Sequence, residues 1–73
     1  MIRIVLTNHA RLRLKERKLS VKIIRDILDK TVKIEHVEND LFFYYGNIHD
    51  IAIKVVILKR REIFKIITIY PLK

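Results

Sequence analysis

The chain has no cysteine, no tryptophan and no glutamine, and it has one glycine and one proline. Each shortage excludes something. Without cysteine there are no disulfides and no cysteine-based zinc site. With a lone glycine there is no Gly-rich loop to cradle a nucleotide phosphate. No serine sits in a recognisable nucleophile setting and no carboxylates are paired, which argues against a nucleotide-dependent enzyme and against a bound cofactor. No apolar run approaches the roughly 20 residues that span a bilayer. The start, Met1-Ile2-Arg3-Ile4, lacks the parts of a secretory signal. These readings predict a cytoplasmic protein with no membrane partner.

What is present is isoleucine, lysine and arginine. At 73 residues the chain is one domain, 1–73, and such a domain has a small margin of stability. About half its residues are hydrophobic, which is enough for a core and argues against disorder. The net charge is +8 and the pI is about 10.1. An excess of this size on a small chain draws in polyanions, which means nucleic acid or an acidic protein. The balance of Ile, Lys and Arg without Gln is also that of a thermophilic source.

Periodicity gives the elements. Ile2 to Leu6 reads as a strand. Thr7 or Asn8 can cap a helix from His9 to about Lys18, and Ser20 can cap a second from Val21 to about Lys30. Val21, Ile24, Ile27 and Leu28 form that second helix's apolar face, with Lys22–Asp26 and Arg25–Asp29 as i,i+4 pairs on the other. Beyond Lys30 the period changes to two. Turns are predicted at Asn39-Asp40, at Gly46-Asn47 and at Lys59 to Glu62, between a strand in which Val32 and Ile34 alternate with Lys33 and Glu35 and strands at 41–45, 48–58 and 63–70. The order β-α-α-β-β-β-β predicts an α+β fold with a mostly antiparallel sheet.

Two features ask for a partner. Both faces of the last two strands are apolar: Ile51, Ile53, Val55 and Ile57 oppose Ala52, Val56 and Leu58, and Phe64 and Ile66 oppose Ile63, Ile67 and Ile69. Two short helices cover one face, so the other meets a second copy or a partner protein, or the sheet ends curl over it. The first helix is the other feature. Arg11, Lys15 and Lys18 form an ordinary wet face. On the arc where apolar residues belong stand His9, Arg13, Glu16 and Arg17, an inward stripe. Either this is an ion-pair network packed on apolar neighbours, or it lines a cleft that holds an anion. Arg presents a planar fork suited to phosphate, and His exchanges a proton near neutral pH.

The run Thr7 to Ser20, with His9-Ala10, Arg13 and Arg17 before a short turn, resembles the opening of the DUF4258 family. The close, Ile67-Thr68-Ile69-Tyr70-Pro71, is similar to that family's final strand. The family's strand order is similar to that of RelE/BrnT-like toxins of type II toxin–antitoxin systems, small basic ribonucleases that cleave mRNA, often on the ribosome. The resemblance implies a RelE-like fold, a metal-independent endoribonuclease, RNA or a ribosome as target and an antitoxin partner. On that reading the candidate catalytic groups are His9, Arg13 and Arg17 of the helix stripe with Tyr70, and the candidate RNA contacts are Lys54, Arg60, Arg61 and Lys65. The alternatives are a nucleic-acid-binding protein without catalysis and a small module that dimerises through its sheet. Alternation sends two of Phe42, Phe43, Tyr44 and Tyr45 to each face of the strand, so one pair belongs to the core and the other can stack bases. His36 and His49 are isolated, and their spacing from His9 gives no metal site.

Overall fold

The computed structural model describes residues 2–72. Seven elements follow one another: β1 (Arg3–Leu6), α1 (Asn8–Glu16), α2 (Val21–Asp29), β2 (Lys33–Glu38), β3 (Leu41–Ile48), β4 (Ile51–Arg60) and β5 (Ile63–Pro71). The strands form one mixed sheet in the order β1-β5-β4-β3-β2. β1 runs parallel to β5, and every other pairing is antiparallel. The fold class is α+β, as the period changes predict.

Both helices lie on one face of the sheet, α1 over β5 and beside β1, α2 over β3. The core between the layers is Ala10, Leu14, Ile24 and Ile27 from the helices against Tyr44, Ile53, Val55, Ile57, Phe64, Ile66 and Ile69. Thr7 joins the layers. Its hydroxyl oxygen accepts the Ala10 amide proton at 3.0 Å and donates to the carbonyls of Ile66 and Ile67, each at 3.0 Å. One side chain thus caps α1 and pins it to β5. Ser20 holds the N-cap position of α2 without a side-chain cap bond.

Scarcity of glycine shapes the turns. Lys18, Asn39, His49, Asp50 and Arg61 all have positive φ. Lys18 closes α1 in the position glycine usually takes: its amide reaches the Lys15 carbonyl at 3.1 Å, and the Leu19 amide reaches Leu14 at 2.8 Å. The turn expected at Gly46-Asn47 is instead His49-Asp50, since Gly46 and Asn47 lie inside β3. With φ of 51° and 68°, His49 and Asp50 make the two-residue turn whose twist matches a hairpin. Gly46 is buried in the sheet because α2 presses on it: a Cβ there would stand 2.8 Å from Cγ2 of Ile27.

Two bulges reset the alternation. In β5 the register slips between Ile66 and Thr68, leaving Ile67 as the extra residue. Ile69 therefore joins Phe64 and Ile66 on the helix side, where it is fully buried, rather than opposing them. In β2 the slip falls at Val37. A bulge shifts every later side chain to the other face, which period counting from either end misses.

The α1 stripe is also corrected. His9, Glu16 and Arg17 are exposed and Arg13 is half-buried. Ala10 and Leu14, four residues apart, are the only side chains α1 buries. A short helix resting on the margin of a sheet needs no wider stripe. Neither Lys22–Asp26 nor Arg25–Asp29 closes. Among the described residues the ion pairs are Arg13–Glu16 and Arg60–Asp40.

Candidate nucleic-acid interface

The second face of the sheet carries neither helix, and no other described element curls over it. Cross-strand pairing sorts its side chains into rows. One row is Tyr45, Lys54 and Tyr70. The next is Phe43, Val56 and Thr68, and beyond it come Leu41, Leu58 and Lys65. On β2, Lys33 stands beside Tyr45 and Glu35 beside Phe43.

Lys54 is the centre of this surface. Its Nζ lies 3.7 Å from the centroid of the Phe43 ring and 5.6 Å from that of Tyr70. Both distances are within the range of cation–π attraction. The Lys33 ammonium stands 5.5 Å from the Tyr45 ring. The Tyr45 hydroxyl donates to Oε1 of Glu35 at 3.0 Å. Lost solvation first, then the bond to Glu35 and its charge, raise the Tyr45 phenol above its ordinary value of 10.0, while Lys54 opposes them. At neutral pH the phenol is a donor, and Lys33, Lys54 and Lys65 stand on this face with Glu35 and Glu38 at its β2 margin.

The resulting surface combines flat rings with ammonium groups. Rings accept the faces of unpaired bases, and ammonium groups meet the phosphates between them. Phe43 and Tyr45 are the aromatic pair that faces outward. Phe42 and Tyr44 belong to the core side, where Phe42 stacks on His36 at 4.6 Å and Lys59 reaches over Phe42 and Phe64.

The expected site residues divide into three groups. Lys54, Lys65 and Tyr70 share the open face. Arg60 stands at its end, opposite Ile63, and is held by Asp40 at 3.2 Å. Arg61, in the β4–β5 turn, lines a separate cleft of about 650 Å³ with Arg3 and Arg25. His9, Arg13 and Arg17 sit in the helix layer. There Arg13 bridges two neighbours, donating from Nη1 to Glu16 at 2.9 Å and from Nε to Nε2 of His9 at 3.4 Å. Tyr70 and the α1 groups therefore address opposite sides of the sheet and do not form one constellation.

Lys33 was not foreseen as part of the surface. The signal was its alternation with Ile34 and Glu35, but only the β2–β3 register sets it beside Tyr45. His36 faces the core side and His49 lies in a turn, so neither joins the platform. Among the described residues no three His, Asp or Glu side chains converge as a metal site. Among the described residues no helix is long and apolar enough to cross a membrane. No protein-family model, no curated protein and no solved structure matches the chain.

Proposed function

We propose that this protein binds single-stranded RNA on the open face of its sheet. The observation that carries the reading is Lys54, set 3.7 Å over Phe43 in one row with Tyr45 and Tyr70. A solvated lysine on a monotonous sheet needs no such setting. A basic chain with rings and ammonium groups on an uncovered face has what a stacked, unpaired strand requires. Duplexes hide their base faces, so they gain only from the charge.

Fluorescence anisotropy with labelled single-stranded and duplex RNA tests this. The expected result is tighter binding of the single strand, weakening steadily as salt rises because bound phosphates release counterions. Binding that ignores salt, or that prefers the duplex, overturns it.

The second reading is the toxin-like endoribonuclease that the DUF4258 and RelE/BrnT resemblance implies, with a ribosome as its setting and an antitoxin as its partner. The bridging of His9 and Glu16 by Arg13 favours it, since a guanidinium beside an imidazole can hold a phosphate next to a proton acceptor. RNA cut without added metal, growth arrest on expression, and loss of both in His9→Ala and Arg13→Ala are its expected results. Intact RNA, alone and with ribosomes, sinks it and leaves RNA binding to stand on the anisotropy data.

A further inference from the structure

We infer that the free edge of β2 pairs with the same edge of a second copy of this chain, with Ile34 at the twofold axis. β2 ends the sheet, and all of its residues are exposed. Neither helix covers it, and its outer edge presents backbone donors and acceptors that no strand of this chain takes up. Natural edges are blunted by charged side chains, by shortness or by bulges. This one has its bulge only toward its far end, at Val37, and it also carries apolar surface: Val32, just ahead of the strand, is 69% exposed, Ile34 50% and Val37 43%.

The edge carries charges of both signs, Lys33 and then Glu35 before the bulge and Glu38 after it, and the order of the first two selects a partner. In an antiparallel pair, facing residues lie on the same side of the sheet, so a twofold pairing of identical strands must centre on a residue. Centring on Lys33 sets lysine against lysine. Centring on Glu35 sets glutamate against glutamate. Centring on His36 brings Glu35 against Val37 at the bulge, where the ladder is broken. Centring on Ile34 sets Lys33 opposite the second copy's Glu35, Glu35 opposite its Lys33, Ile34 opposite Ile34 and Val32 opposite His36. Of these registers it is the one that pairs Lys33 with Glu35 and buries the isoleucine. Val37 ends the regular run and prevents the strands from sliding on. The open faces of the two copies then lie on the same side of one continuous sheet, which sets the two Lys54 rows side by side. The inference does not depend on RNA binding.

The absence of cysteine makes the test clean. Facing Cα atoms in an antiparallel pair are about 4.5–5.5 Å apart, inside the range a disulfide spans. Ile34→Cys under mild oxidation is expected to give a covalent dimer, while Lys22→Cys on α2 stays monomeric. Sedimentation of the unmodified chain is expected to show a monomer–dimer equilibrium in the micromolar range. Lys33→Glu and Glu35→Lys each create two like-charge pairs and should weaken it by about tenfold or more. The double variant Lys33→Glu/Glu35→Lys should restore it. The bond from Tyr45 to Glu35 is lost in both Glu35→Lys and the double variant, so recovery reads the contacts between copies alone. Circular dichroism checks that each variant is folded. A monomer at every concentration, equal oxidation of both cysteine variants, or a folded double variant that fails to recover overturns the inference.

Discussion

The two faces of the central strands have the same backbone and the same alternation, yet they have opposite characters. Toward the helices, Val55, Ile57, Ile66 and Ile69 are fully buried, and the tolerance for change is set by packing. Toward solvent, Phe43, Tyr45, Lys54 and Tyr70 are half-buried, and their contacts are ring to ammonium and phenol to carboxylate. A strand with an apolar residue at every second position is fixed in the fold by one face. The other face is free to carry chemistry. Val56 and Thr68 fill the middle of the open face without closing it, so a flat surface is left between the rings.

The largest expected break falls on the covered face. Ile57→Ala or Ile66→Ala removes a fully buried side chain and should cost about 2–5 kcal/mol. A domain of this length holds roughly 4–11 kcal/mol in all. Either variant should therefore melt far below the parent or fail to fold, as thermal circular dichroism will show. Gly46→Ala comes next. Its added methyl meets Cγ2 of Ile27 at 2.8 Å, and a packed side chain must shift, at about 1–3 kcal/mol. If this variant melts with the parent, α2 does not bear on β3 as described.

On the open face the order of effects inverts. Lys54→Ala should lower stability by no more than about 1 kcal/mol, the scale of its partly exposed cation–π contacts. Its affinity for single-stranded RNA should nevertheless fall about tenfold, with a shallower dependence on salt. A variant that binds as the parent does moves the site off this face. The smallest effect belongs to Tyr45. Its phenol is raised above 10.0 in the folded chain, so the folded state holds this proton more tightly than the unfolded state. That contribution is complete below the unfolded value and is lost as pH rises through the folded one. Denaturant melts from pH 9 to 11 (values that bracket the ordinary phenol) should show a decline that Tyr45→Phe reduces. Equal declines in both proteins would assign it to other groups.

Much of the fold was legible. The Thr7 cap, the helical face of Ile24 and Ile27 and the change to period two all report on near neighbours, and near neighbours are what a sequence displays. The α1 stripe was legible as a pattern and misleading as a location. His9 and Arg13 do meet along one line, with Arg17 at the helix's end, but how wide a stripe a helix buries depends on the surface it lands on. α1 lands on the margin of the sheet, and Ala10 with Leu14 satisfies it. The aromatic pairs of β3 were legible as two pairs, without a sign saying which one faced out.

Composition and local order thus determined, on their own, the element sequence, the α+β class and a basic surface. Tertiary structure decided which face of the strands the helices cover, where Ile67 and Val37 reverse the alternation, and that Gly46 makes room for Ile27 instead of a turn. It also set Lys33, Tyr45, Lys54 and Tyr70 beside one another and left β2 on the edge. The reason is physical. Pairing register and layer depend on contacts such as Thr7 to Ile66, 59 residues apart, and no local period carries the position of a partner that distant.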